Sequence, residues 1–159
     1  MSQKAIVFGG SGFLGSYVVE ELSREGYQVT VFDRSPSPYL EADQEMIVGD
    51  ILDAVQVRDA VKGKDVIFHF AGLSDLDMGT DQPLEVVHQN IAGTVHLLNA
   101  AVEAKVQRFV FASTIYVYSN LGGFYRCSKQ ATELFIEEFN RRYELDFTVL
   151  RYGSLYGAR

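Results

Sequence analysis

Two groups of residues in the sequence have the types and spacing to do chemistry. The first is Tyr125-Arg126-Cys127-Ser128-Lys129. A spacing of four puts a phenol and an ammonium on one face of a helix, where the cation and the helix N-terminus can together stabilise a phenolate. Tyr125 is then a candidate general base near neutral pH, and no other tyrosine is followed by a lysine four residues later. The second is Gly9-Gly10-Ser11-Gly12-Phe13-Leu14-Gly15. Set between a strand and a helix, Gly9 permits a tight turn, Gly12 lets backbone approach a pyrophosphate, and Gly15 lets helix pack on strand. The exposed N–H groups of the turn, those of Ser11, Phe13 and Leu14 included, and the positive end of the helix dipole would receive the anion.

Further candidates follow along the chain. Asp33 ends the second strand, where a carboxylate can accept from both ribose hydroxyls of an adenosine, which favours NAD. Arg34 beside it could hold a 2′-phosphate, leaving NADP as the lesser choice. Gly49-Asp50-Ile51 resembles an adenine contact, with Asp50 accepting from the exocyclic amine, or a plain turn aspartate. Phe70-Ala71-Gly72 supplies small residues past the fourth strand, over which a cofactor could lie. Ser113 and Thr114 fall just past the fifth strand, where either hydroxyl could orient a substrate oxygen toward Tyr125.

Six apolar, β-branched runs have to position these groups: Lys4 to Phe8, Gln28 to Phe32, Glu45 to Val48, Asp65 to Phe70, Arg108 to Phe111 and Phe147 to Leu150. Helical periodicity covers about Gly12 to Glu25, Asp53 to Val61, Pro83 to Ala104 and Phe124 to Tyr143. Alternating strands and helices predict an α/β fold: a Rossmann-type doubly wound parallel sheet of about six strands, order 3-2-1-4-5-6, with helices on both faces. Gly26, Asp53 and Pro83 punctuate the helices. Arg34 to Glu41 and Gly72 to Gln82 read as loops, and no internal boundary divides the chain.

The 159 residues carry 14 basic and 21 acidic side chains, a net charge of −7. That balance would repel a phosphate backbone and offers no polybasic tract, so neither nucleic acid nor a membrane surface is an expected partner. No apolar run reaches membrane-spanning length. A single cysteine, Cys127, fits a reducing compartment, so the chain reads as cytoplasmic, with Cys127 a packed helix residue rather than a nucleophile. His69, His88 and His96 are not spaced as metal ligands. Asp75, Asp77 and Asp81 lack the pattern of a calcium loop, so no metal is expected. Leu134, Phe135 and Phe139 could serve a dimer interface or pack on the sheet.

Taken in order, Gly9 to Gly15, Asp33, Gly49-Asp50, His69 to Gly72, Asn90 to Thr94, Phe111 to Tyr118, Tyr125 to Lys129 with Glu133, and Arg151 to Gly157 resemble the extended short-chain dehydrogenase/reductase family. The resemblance is to its NAD-dependent epimerase/dehydratase branch, which acts on nucleotide sugars, and it spans the whole chain. It implies that Tyr125 is the catalytic acid/base, that Lys129 lowers its pKa and binds the nicotinamide ribose, and that Thr114 is the catalytic hydroxyl. It also places Asn90 and Tyr152 near the cofactor, implies a nucleotide-sugar substrate, and favours a homodimer. Thr114 and Tyr125 are only 11 residues apart, closer than usual in that branch, and Ser119 and Ser154 depart from its usual residues. Members continue for about as many residues again with a substrate-gripping domain, so the chain is expected to be the cofactor-binding half of a longer enzyme. A non-catalytic NAD(P)-binding sensor is the alternative reading.

Overall fold

A computed structural model of the chain describes residues 2–74 and 82–159. Asp75, Asp77 and Asp81 lie outside the described residues. Six strands, β1 (Lys4–Phe8), β2 (Gln28–Asp33), β3 (Glu45–Val48), β4 (Val66–His69), β5 (Arg108–Thr114) and β6 (Phe147–Tyr152), form one sheet in the order β3-β2-β1-β4-β5-β6. Every pairing is parallel, as the alternating pattern predicts. β1 is fully buried from Ala5 to Phe8, as expected of a central parallel strand covered on both faces.

Its side chains alternate between two cores. Ile6 and Phe8 join Phe32, Ile67, Phe109 and Phe111 under helices α2 (Ala54–Val61), α4 (Gly93–Ala104) and α5 (Gly123–Tyr143). Ala5 and Val7 join Val29 and Val31 under α1 (Phe13–Arg24). Asp53 caps α2 by accepting from the Val55 and Gln56 amides. Gly26, at φ 84°, closes α1.

Two differences from the expected elements bear on the site. The periodic stretch from Pro83 to Ala104 is not one regular helix. A short helix, α3 (Pro83–Val86), runs into a π-helical segment, Val87–Ala92, before α4. The Thr94 hydroxyl donates to the Asn90 carbonyl at 2.6 Å, so a side chain serves an acceptor inside this irregular turn. β5 and β6 also run further than their apolar residues suggest, to Thr114 and Tyr152. Their polar ends pair with each other, Ser113 with Arg151 and Thr114 with Tyr152. Ser113 and Thr114 are therefore strand residues on opposite faces of the sheet.

Candidate active site

The turn after β1 is built by close backbone approach. Gly9 has φ 82° and donates its N–H to the Phe32 carbonyl at 2.9 Å. A Cβ at position 9 would lie 2.5 Å from the Ala71 nitrogen, and one at position 15 would lie 2.1 Å from the Gly9 carbonyl oxygen. Both sites are closed to any side chain. Gly12 differs, because a Cβ there would meet only the Gly9 oxygen, at an ordinary 3.4 Å. Its missing side chain keeps the cleft open rather than relieving an internal clash.

Asp33 ties this turn to β2. One carboxylate oxygen accepts from the Ser11 N–H at 3.1 Å and the other from the Ser35 N–H at 3.2 Å. A carboxylate has about four acceptor positions, which leaves capacity for hydroxyl donors from the cleft. The cleft has a volume of about 530 Å³ and lies over the carboxyl ends of the strands, where open α/β sheets bind ligands. Gly9, Gly12 to Gly15, Asp33, Arg34, Ile51, Phe70 to Gly72, Ser113, Tyr125, Lys129 and Tyr152 all line it, alongside Gln89 and Leu155, which spacing did not single out. A glycine cradle at one end, an acidic side chain beside it and a phenol with an ammonium at the other fit a dinucleotide.

Tyr125 and Lys129 share the cleft, yet their electrostatics correct the sequence expectation. Burial pushes the Tyr125 phenol above the usual range, and a hydrogen bond with the Thr114 side chain offsets this only in part. The Lys129 ammonium does not reverse the shift. Its Nζ is held by the Ala112 carbonyl at 2.7 Å and sits 5.6 Å from the Tyr125 ring centroid, closer to the Phe111 ring at 4.5 Å. Lys129 is itself pushed down to about 8 by burial, against the opposing pull of Glu133. The phenol is therefore held protonated, rather than poised as a base near neutral pH.

Other expected residues reach the site indirectly. The Thr114 hydroxyl, almost fully buried, caps a 3-10 turn at Ile115–Tyr118 by accepting from the Tyr116 amide, and it also bonds Tyr125. Ser11 turns its hydroxyl to the Ser35 carbonyl after β2, and Asp50 accepts from the Leu52 amide of its own turn, so both side chains are taken up by backbone. Asn90 is buried, bonded to both polar backbone groups of Leu73 and to Ser128 Oγ. Its amide braces the loop after β4 against α5. Cys127 is exposed, against the expected packed position, because it faces away from the buried stripe Ser128, Lys129, Thr132 and Glu133.

His69 is fully enclosed. Thr94 gives its proton to the Asn90 carbonyl, so its oxygen accepts from His69 Nε2–H at 2.9 Å, which fixes the tautomer. Burial, reinforced by the Lys129 cation, pushes His69 down to about 3. Among the described residues no group of His, Cys, Asp and Glu is arranged to hold a metal ion, and no helix is long and apolar enough to cross a membrane.

The feature that spacing missed is a polar cluster behind Ser113. Glu133 accepts from the Ser113 hydroxyl, from Arg151 Nε at 3.1 Å and from Arg151 Nη2 at 2.7 Å. The signals available were a charged pair, Lys129 and Glu133, at the i and i+4 positions of a face otherwise destined for burial, and the presence of Glu133 and Arg151 among the residues that carry the family resemblance.

A family model for the NAD dependent epimerase/dehydratase family matches residues 5–159. A 3-beta-hydroxysteroid dehydrogenase of Mycolicibacterium neoaurum is 42% identical over 118 residues, 70% of this chain and 32% of that protein. The dTDP-D-glucose 4,6-dehydratase of Mus musculus is 29% identical over 185 residues, 98% of this chain and 51% of that protein. The structure of UDP-glucose 4-epimerase from Thermus thermophilus in complex with NAD superimposes with a TM-score of 0.90 at 27% identity, covering 99% of this chain and 57% of that one. The chain thus spans between about a third and about half the length of the two relatives named.

Proposed function

This chain belongs to the NAD-dependent epimerase/dehydratase family, and from that premise we propose that it is the cofactor-holding half of a nucleotide-sugar epimerase or dehydratase. The observation that carries this reading is that the glycine turn, Asp33, Tyr125 and Lys129 open onto one cleft. The substrate-gripping part would be supplied by a segment outside these 159 residues. NAD, when bound, supplies a hydride acceptor or donor at a sugar carbon.

The chain's own residues would do the rest. The turn amides around Gly12 and the N-terminus of α1 receive the pyrophosphate. Asp33 accepts from the adenosine ribose hydroxyls and repels a 2′-phosphate, which favours NAD over NADP. Tyr125 moves the proton at the substrate oxygen and Thr114 holds that same oxygen. Because burial keeps the phenol protonated, giving a proton to a carbonyl is its ready role, and taking one from an alcohol is favoured as pH rises. Leu84, Val87, Leu134 and Phe135 are exposed apolar side chains on adjoining helical segments, and they would form the face of a homodimer.

The 42% identity to a hydroxysteroid dehydrogenase favours a second substrate class. A steroid alcohol calls for the same proton transfer at Tyr125, so the two readings differ only in what holds the rest of the substrate. Calorimetric titration of the intact protein with NAD and NADP, then assays on nucleotide sugars and on hydroxysteroids, tests both readings. Saturable NAD binding weakened by Asp33→Ala, with turnover reduced about 100-fold or more in Tyr125→Phe, is the expected result. Undiminished turnover in Tyr125→Phe would overturn the proton-transfer assignment.

A further inference from the structure

The pairing of Glu133 with Arg151 lies behind the cleft, and stability does not explain it. Glu133 has a side chain only 10% exposed, and Arg151 one 37% exposed. Replacing such a pair by apolar side chains is often neutral or favourable. The pair nevertheless joins three parts of the site. Through Ser113 it reaches the cleft wall at the end of β5. Through Arg151, which bonds the Tyr118 hydroxyl and covers its ring at 4.9 Å, it reaches the turn that follows Thr114. Through α5 it lies one turn beyond Lys129.

Lys129 needs such a neighbour. Its environment is the Phe111 ring, the Tyr125 ring, the Ala112 carbonyl and, from β4, the neutral His69. None of these carries a negative charge, and one hydrogen bond serves a group with three donors. Tyr152 of β6, half-buried in the same cleft, has its phenol pushed up by burial and stays uncharged. Among the described residues the charge that favours the ammonium is that of Glu133. Burial pushes the Glu133 carboxyl up, but Arg151 and Ser113 bring it below its ordinary value.

We infer that Glu133 and Arg151 are a positioning pair for Lys129: the carboxylate keeps Lys129 an ammonium inside its apolar seat, and the Arg151 cation bonded to that carboxylate limits how strongly it does so. Neither side chain touches the reacting atoms. The inference builds on the function proposed above only in giving Lys129 a task. What it says about the charge of Lys129 can be measured without turnover.

The test is a pH titration of the Lys129 side chain in intact protein carrying ¹³C-labelled lysine, with the Lys129 signal assigned by its loss in Lys129→Met. In Glu133→Gln, which keeps an acceptor for Ser113 but removes the charge, the midpoint should fall from about 8 by roughly one to two pH units. In Arg151→Gln, which removes a nearby cation and leaves the carboxylate, it should rise by roughly half a unit. A purely structural pair would move both variants in one direction or move neither, and either result overturns the inference. Should Glu133→Gln fail to fold, Arg151→Gln decides alone: a rise supports the pair, whereas a fall or no change sinks it. If both midpoints move as stated while Tyr125→Phe keeps full turnover, the proton-transfer reading fails and this one stands.

Discussion

At the glycine-turn end of the cleft backbone meets backbone, with Gly9 against Ala71 and Gly15 against Gly9. At the Tyr125 end the contacts are between side chains far apart in sequence, as with Ser113 and Glu133 or Glu133 and Arg151. One end is shaped by van der Waals exclusion between backbone atoms, which tolerates no alternative. The other is tuned by burial and charge, whose effects depend on everything packed nearby. The first end should therefore fail in folding when it is altered, and the second should fail in chemistry while still folding.

Gly15→Ala gives the largest expected effect and strains that contrast hardest. The added methyl would lie 2.1 Å from the Gly9 carbonyl oxygen, and backbone cannot rotate aside as a side chain can. A loss of at least about 3 kcal/mol is expected, at or beyond the upper range for overpacking, and thermal unfolding would show it as a large drop in Tm. A variant of wild-type stability would mean that the turn yields more easily than its geometry implies.

Lys129→Met probes the opposite end. The substitution removes a cation that burial already disfavours, so stability should hold or rise, while turnover falls about 100-fold. Parallel loss of Tm and activity would erase the distinction between the two ends.

The same distinction explains what could be read from the residue order. Strand order, the glycine turn and Asp33 were legible because each rests on local periodicity or on a residue type with one physical use, such as Gly9 at positive φ. The Tyr125 phenol was legible as a position but not as a charge state. Spacing puts Lys129 on its face, yet the sequence gives no hint that the Ala112 carbonyl holds the ammonium away or that burial outweighs it. Glu133 with Arg151 joins a helix to a strand 18 residues on, a separation that no periodicity reports. Cys127 was misplaced for a related reason, since the buried stripe of α5 is set by polar partners rather than by apolar residues.

His69 belongs to the Tyr125 end, and its charge state should show in the pH dependence of stability. It is held neutral, with a folded value of about 3 against 6.5 when exposed. Between those values the unfolded chain binds the extra proton, so the contribution is complete above 6.5 and is lost as pH falls toward 3. Between about pH 8 and about pH 5 this group alone should remove about 2 kcal/mol. Denaturant unfolding of His69→Gln should show a shallower acid slope. Identical slopes would mean that the ring is protonated in the fold.

Gly12→Ala has the smallest expected effect and tests the glycine-turn end at the one position where it is not sterically closed. A methyl there meets only the Gly9 oxygen at 3.4 Å, so stability should stay within about 0.5 kcal/mol. The methyl would project into space that a pyrophosphate needs for close approach to the backbone, so affinity for NAD should fall about tenfold or more, roughly 1.4 kcal/mol. A stable variant with unchanged NAD affinity would put the anion elsewhere in the cleft. A variant that loses both would make Gly12 structural like its neighbours. Loss of affinity alone would separate the glycines that build the turn from the one that serves the ligand, a division of labour that the residue order treats as a single repeated letter.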